Sequence, residues 1–91
     1  MMRQLFYSSQ FKKDSRRAQK QGKDLVELKN VVARLVAGEM LDEKLKDHAL
    51  RGNYAGTREC HIGPDWLLIY RITGNELHVL RTGSHAELFK K

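Results

Sequence analysis

The chain has 91 residues, 41% of them hydrophobic and 31% charged, with a net charge of +6. That suits one globular domain over residues 1–91 with a modest core and excludes a large substrate cavity, while no apolar run approaches the roughly 20 residues of a membrane-spanning helix. A single cysteine, Cys60, excludes an internal disulfide, and the opening MMRQLFYSSQFKK has no apolar stretch of signal-peptide length, so a cytoplasmic location without a membrane partner is expected.

Residues 3–7 (RQLFY) read as a short strand. Ser8 or Ser9 caps the helix that follows, which runs to about Gln21 and stops at Gly22, a residue that tolerates positive φ. Beyond Phe11 and Ala18 this helix carries little apolar surface. It is rich in cations instead: residues 1–34 hold nine basic and three acidic side chains, whereas residues 35–91 hold eight of each. The excess positive charge therefore sits in the first third. Such a block suits docking on a polyanion, and it equally suits a solvated face that keeps a small protein soluble.

A second helix starts at Asp24, a good N-cap, and stops near Gly38. Leu25, Leu28, Val32, Leu35 and Val36 recur at spacings of three and four, the stripe of a core helix. Residues 39–46 read as a polar linker with a helical turn. After it the period changes: segments around 55–62, 66–73 and 77–82 are separated by turn signals at Gly63-Pro64-Asp65 and Gly74-Asn75. Two hairpins make an antiparallel meander. In its central strand Trp66, Leu68, Tyr70 and Ile72 share one face, and Leu67, Ile69 and Arg71 the other, so the strand is covered on both sides near its start. The expected fold is α+β: a short N-terminal strand, two helices, then an antiparallel sheet of three further strands with the helices on one face.

The meander is crowded with ionisable groups: His48, Arg58, His61, Asp65, Arg81 and His85. Histidine both gives and takes protons near neutral pH, so this cluster points to acid–base chemistry, metal binding or anion binding. Metal binding has little support from spacing, because Cys60-His61 is the only close pair of ligand types. No cofactor or metal is expected, since nucleotide-binding and nucleophile-elbow motifs are absent from the sequence. RNA cleavage fits better. RNA brings its own nucleophile, the 2′-hydroxyl, and histidine, aspartate and arginine can move the protons and stabilise the phosphorane. His61 and Asp65 flank the Gly63-Pro64 turn and can converge, His85 follows the last strand, and Arg81 offers a planar donor fork for phosphate oxygens.

Blander roles stand beside these. His78 alternates with Leu77 and Val79 and faces outward; Asp65 suits a turn; Trp66 and Tyr70 suit the core. Phe89, near the chain end, is the aromatic least needed for a core. Arg58 is undecided, with Glu59 and Glu87 as candidate ion-pair partners.

The run KDHALRGNYAGTRECHIGPDWLLIYRI, followed by LRTGSHAELF, resembles the signature of YafQ-type toxins in the RelE/ParE superfamily. FYSSQFKKDSRRAQKQGKD and the amphipathic helix after it fit the same layout, so the resemblance covers nearly the whole chain. It implies a RelE-like microbial RNase fold and a toxin of a type II toxin–antitoxin system. Such a toxin is a ribosome-dependent endoribonuclease that cuts mRNA in the A site by metal-independent 2′-hydroxyl attack. It further implies a cognate antitoxin, with operator DNA reached only through the antitoxin complex. The family's catalytic positions fall on His48, His61, Asp65, Arg81, His85 and Phe89, Phe89 in positioning. Lys12, Lys13, Arg16, Arg17, Lys20 and Lys23 then become candidates for holding ribosomal RNA. The alternatives are a ParE-like gyrase inhibitor, which has no need of the His/Asp set, and a non-catalytic RNA-binding module.

Overall fold

A computed structural model describes residues 2–89; Met1 and the basic pair Lys90-Lys91 lie outside the described residues. The strand β1 (Gln4–Tyr7) leads into α1 (Ser9–Lys20) and α2 (Leu25–Val36). A 3-10 turn at Glu43–Leu45, the strand β2 (His48–Ala49) and a second turn at Gly52–Tyr54 precede the meander β3 (Arg58–Gly63), β4 (Trp66–Thr73) and β5 (Glu76–Gly83). A short helix, α3 (His85–Phe89), ends the described chain.

Local signals set both long helices. Ser8 Oγ accepts the Phe11 N–H at 2.9 Å, and an Asp24 carboxylate oxygen accepts the Val26 N–H at 2.9 Å, so each first turn has a side-chain cap. Gly22 follows α1 at φ +83°, where a side chain would be strained. Leu28, Val31, Val32 and Leu35 of α2 and Phe11 of α1 are buried against Trp66, Leu68, Tyr70, Leu77 and Val79. Cys60 joins this core, and burial pushes its thiol up to about 12.

The sheet has five strands in the order β1-β5-β4-β3-β2. The meander is antiparallel as expected, but β1 closes the far edge in parallel with β5, Leu5 opposite Leu77. This pairing joins the two ends of the chain, and no local pattern announces it. The opposite face of the sheet is also covered. Leu67 and Ile69 are fully buried there beneath Leu88, with Leu50, Tyr54, Leu80 and Phe89 packed around them.

Two long helices thus lie on one face, as expected, and a third stands on the other. At five residues α3 is too short to show helical periodicity or to persist alone. It is held by a reciprocal cap: Ser84 Oγ accepts the Glu87 N–H at 3.1 Å, and Glu87 Oε1 accepts the Ser84 N–H at 2.9 Å. Arg17 of α1 and Gln21, the residue that caps its end, bind Glu87 Oε2 at 3.2 and 3.0 Å, tying the first helix to the last. Phe89 is correspondingly not spare: it packs edge-on against Tyr54 with ring centroids 5.4 Å apart.

Candidate active site

Strand alternation sends Cys60 into the helix-side core and turns Glu59 and His61 to the opposite face. β2 places His48 directly across from Glu59, and α3 brings in His85 from the other side. The result is a row of imidazoles. Ring centroids of His48 and His61 are 6.3 Å apart, those of His61 and His85 5.9 Å, and those of His85 and Phe89 6.2 Å.

Hydrogen bonds fix two of the rings. His48 Nδ1 lies 2.7 Å from the Lys46 carbonyl, which only accepts, so Nδ1 carries a proton and donates. His48 Nε2 then faces Glu59 Oε2 at 3.1 Å, within ion-pair distance. At the other end, Asp65 Oδ1 accepts both the His85 N–H at 2.9 Å and the His85 ring N–H at Nδ1 at 2.8 Å. These two bonds lower the Asp65 pKa, the backbone bond contributing most. Asp65 sits in the Gly63-to-Trp66 hairpin turn at φ +50°, a conformation Asp tolerates, so turn residue and site residue are the same.

His61 lies between these fixed ends. Burial lowers its pKa from 6.5, and the neighbouring His85, Lys46 and His48 push in the same direction, against the opposing pull of Glu59. The ring is thereby biased toward its neutral, proton-accepting form.

Glu59 is the residue that sequence reasoning passed over, having been considered only as a partner for Arg58. Its side chain is 6% exposed; Oε2 lies 3.1 Å from His48 and 3.7 Å from His61, and Oε1 is buried with no hydrogen-bond partner among the described residues. The available signal was parity: Glu59 and His61 are two apart on one strand and share a face. Ligand atoms of Glu59, His61 and His85 all lie within 4.8 Å of one another. One carboxylate and two imidazoles at that separation suit a divalent transition metal, a set that sequence spacing did not reveal because β3 and α3 supply it jointly.

Arg81, expected to offer its donor fork to phosphate oxygens, has an internal partner for part of that fork. Its Nε and Nη2 bind Asp14 at 2.7 and 3.3 Å, and Asp14, 1% exposed, also accepts the Thr82 N–H at 3.2 Å. Arg81 makes no hydrogen bond to the histidine row among the described residues; Nη1 is the part of the fork left outside these bonds. Arg58 pairs with neither Glu59 nor Glu87: its Nε binds Asp47 at 3.1 Å, beside the Tyr70 hydroxyl, which donates to the same oxygen at 2.6 Å. His78 lies off the row, stacked on Phe6 at 4.9 Å and bonded to Glu76 at 2.9 Å.

The basic helix divides too. Lys12, Lys13, Arg16 and Lys20 are exposed on α1, opposite the buried Phe11, Asp14 and Ala18. Arg17 is an internal tether, bound to Asp14 at 3.3 Å and Glu87 at 3.2 Å. Lys23 lies close enough to Asp65 for its charge to help lower that carboxyl's pKa, so the cationic block reaches the site.

Fold and site together define a class: a small α+β domain with a row of histidines and two carboxylates on the sheet face opposite its two long helices. The family model for the bacterial toxin of type II toxin–antitoxin systems, YafQ, matches residues 3–90, and the chain belongs to that family. It is 42% identical over 90 residues to the mRNA interferase toxin YafQ of Escherichia coli K12, covering 98% of each chain. Its structure matches the E. coli DinJ-YafQ toxin–antitoxin complex at a TM-score of 0.90 with 42% identity, over 98% of this chain and 99% of that one. It matches a metal-bound toxin from Helicobacter pylori at a TM-score of 0.89 with 43% identity, over 97% of this chain and all of the other.

Proposed function

We propose that this toxin is an mRNA interferase, an endoribonuclease that arrests translation by cutting mRNA in the ribosomal A site, with residues 1–91 acting as one domain in the cytoplasm. The observation that carries the reading is the row His48–His61–His85 with Glu59 and Asp65 at its sides. The name of its E. coli relative supports the same activity. A gyrase inhibitor or a passive RNA-binding module has no use for this row.

The chemistry follows from the proton positions. The 2′-oxygen attacks the adjacent phosphorus while its proton passes to a base, and the bond from phosphorus to the 5′-oxygen breaks as that oxygen takes a proton from an acid. The products are a 2′,3′-cyclic phosphate and a 5′-hydroxyl. His61, held toward its neutral form, is suited to accept the first proton. His85 is suited to deliver the second, because Asp65 orients its ring and balances the charge of its cation. The proton His61 gains and the one His85 loses balance, so exchange with solvent resets the pair, while Glu59 stands beside both His48 and His61. Arg81 meets phosphate charge through the part of its fork outside the Asp14 bonds, and Phe89 flanks His85 and packs the leaving side.

Lys12, Lys13, Arg16 and Lys20 hold ribosomal RNA, with Arg17 and Lys23 acting nearer the site. An antitoxin neutralises the chain, as the E. coli DinJ-YafQ complex suggests, and operator DNA is met only through that complex. Primer-extension mapping of mRNA ends after induction is the test. Cuts at A-site codons that vanish in His85→Ala are expected; an intact transcript, or unchanged cutting by the folded variant, defeats the assignment.

A second reading concerns metal. Glu59, His61 and His85 can hold a divalent ion, and an H. pylori relative is metal-bound. An ion there would occupy the nitrogen atoms the proton transfers need, so the reading predicts inhibition by Cu²⁺ or Zn²⁺, reversed by a chelator.

A further inference from the structure

A groove of about 490 Å³ beside Arg3 and Tyr70 contains no member of the histidine row. A second groove, about 420 Å³, does: His61 forms part of its wall, together with Lys44, Lys46 and the Gly63-Pro64 turn. Its apolar lining is Leu45 and Ile62, both packed against the helix-side core, and Glu27 of α2 stands at its rim. A smaller cleft of about 120 Å³ shares Glu27, Lys44, Leu45 and Ile62 and runs on toward Asn30 and Arg34. The two make one trough along the seam between α2 and β3, beginning at a catalytic ring.

Arg34 is paired with Asp42 at 3.3 Å, but the two lysines of the trough are uncommitted. Lys44 and Lys46 are exposed, and neither forms an ion pair among the described residues. Lys46 is also held in an unusual backbone state, φ 50° and ψ 44°, the left-handed region that a lysine seldom occupies. That conformation lets its carbonyl accept from His48 Nδ1 at 2.7 Å while its side chain lines the trough beside His61. One residue therefore joins the groove to the catalytic row.

We propose that this trough is a nucleotide subsite of the ribonuclease, taking the residue next to the scissile phosphate. The inference rests on the ribonuclease reading. The base lies on Leu45 and Ile62, its flanking phosphate meets Lys44 and Lys46, and the Glu27 carboxylate accepts from an exocyclic amino group. The volume falls within the range of small-ligand sites. A carboxylate at the base edge favours adenine, guanine or cytosine and repels the carbonyl-flanked edge of uracil.

The test uses a short single-stranded 2′-O-methyl oligoribonucleotide, which lacks the nucleophile, titrated into the full chain while backbone amide shifts are followed. Shifts at Glu27, Leu45, Lys46 and Gly63 are expected. Lys44→Ala combined with Lys46→Asn, chosen because Asn tolerates the left-handed conformation, should weaken binding about tenfold and reduce the salt dependence by about one unit of log–log slope. Lys29→Ala, which removes a charge from α2 outside the trough, should bind as the wild type does. Glu27→Ala should narrow the preference for amino-bearing bases over uracil. Wild-type affinity in the double variant, with cleavage of mRNA intact, removes the subsite and leaves the ribonuclease standing; a wild-type chain that cuts no mRNA removes both.

Discussion

Asp65 and His85, twenty positions apart, are joined twice through one oxygen: Asp65 Oδ1 accepts the His85 backbone N–H at 2.9 Å and its ring Nδ1–H at 2.8 Å. The two hydrogen bonds hold the start of α3 and place a proton on Nδ1 of its first side chain. Asp65→Asn keeps an acceptor oxygen but loses the charge. The expected outcome is a fall in single-turnover cleavage of about 10²-fold, with melting temperature unchanged because Asp65 is exposed. Full activity in that variant rules out a role for the carboxylate in charge balance.

On the proposed mechanism His61 sets the acid limb. Its folded pKa lies below 6.5 because burial and cationic neighbours disfavour the charged ring. The cleavage rate should therefore fall with acid along a limb whose midpoint lies below 6.5. Stability has the same sign: below that value the unfolded chain binds the proton first, so stability is present above 6.5 and is lost as pH falls through the folded value. Titration of the His61 ring protons by NMR reads this directly, and a midpoint above 6.5 contradicts it.

Asp14 is the buried anchor between α1 and β5. Removing it strands the Arg81 guanidinium and leaves the buried Thr82 N–H without its acceptor. Asp14→Ala should lose about 3 kcal/mol in urea unfolding, the lower end of the range for a broken buried pair because Arg81 still reaches solvent. A loss within experimental error means that Arg81 and Thr82 find other partners.

Glu59 separates the two chemical readings of the site. Glu59→Gln preserves shape but replaces an anionic acceptor beside two imidazoles with an amide. Cleavage without added metal should drop by about 10²-fold, and Cu²⁺ titration followed by calorimetry should show weaker binding than in the wild type. If copper affinity is untouched, the ligands are not Glu59, His61 and His85.

Much of this was legible locally. The caps at Ser8 and Asp24, the Leu28–Val32–Leu35 stripe and the two-faced burial of Trp66–Tyr70 are written in adjacent residues, because caps, helical periodicity and strand alternation are short-range rules. The ends of the chain were harder. α3 was missed although Ser84 and Glu87 spell its capping box, since five residues give no periodicity to read. The parallel pairing of β1 with β5 has no local signal at all, because its partner lies some seventy residues away in sequence.

The ionisable side chains crowded into the meander are legible in the sequence, and with them the residue types able to move protons. Which of them meet was decided only by tertiary structure. Two strands, a hairpin turn and a helix carry His48, Glu59, His61, Asp65 and His85 to one face, while Arg81, read from sequence as a fork for phosphate oxygens, is bound by a buried Asp14. The physical reason is desolvation: an anion placed in the interior must find its cation, and no spacing rule along the chain says which one that will be.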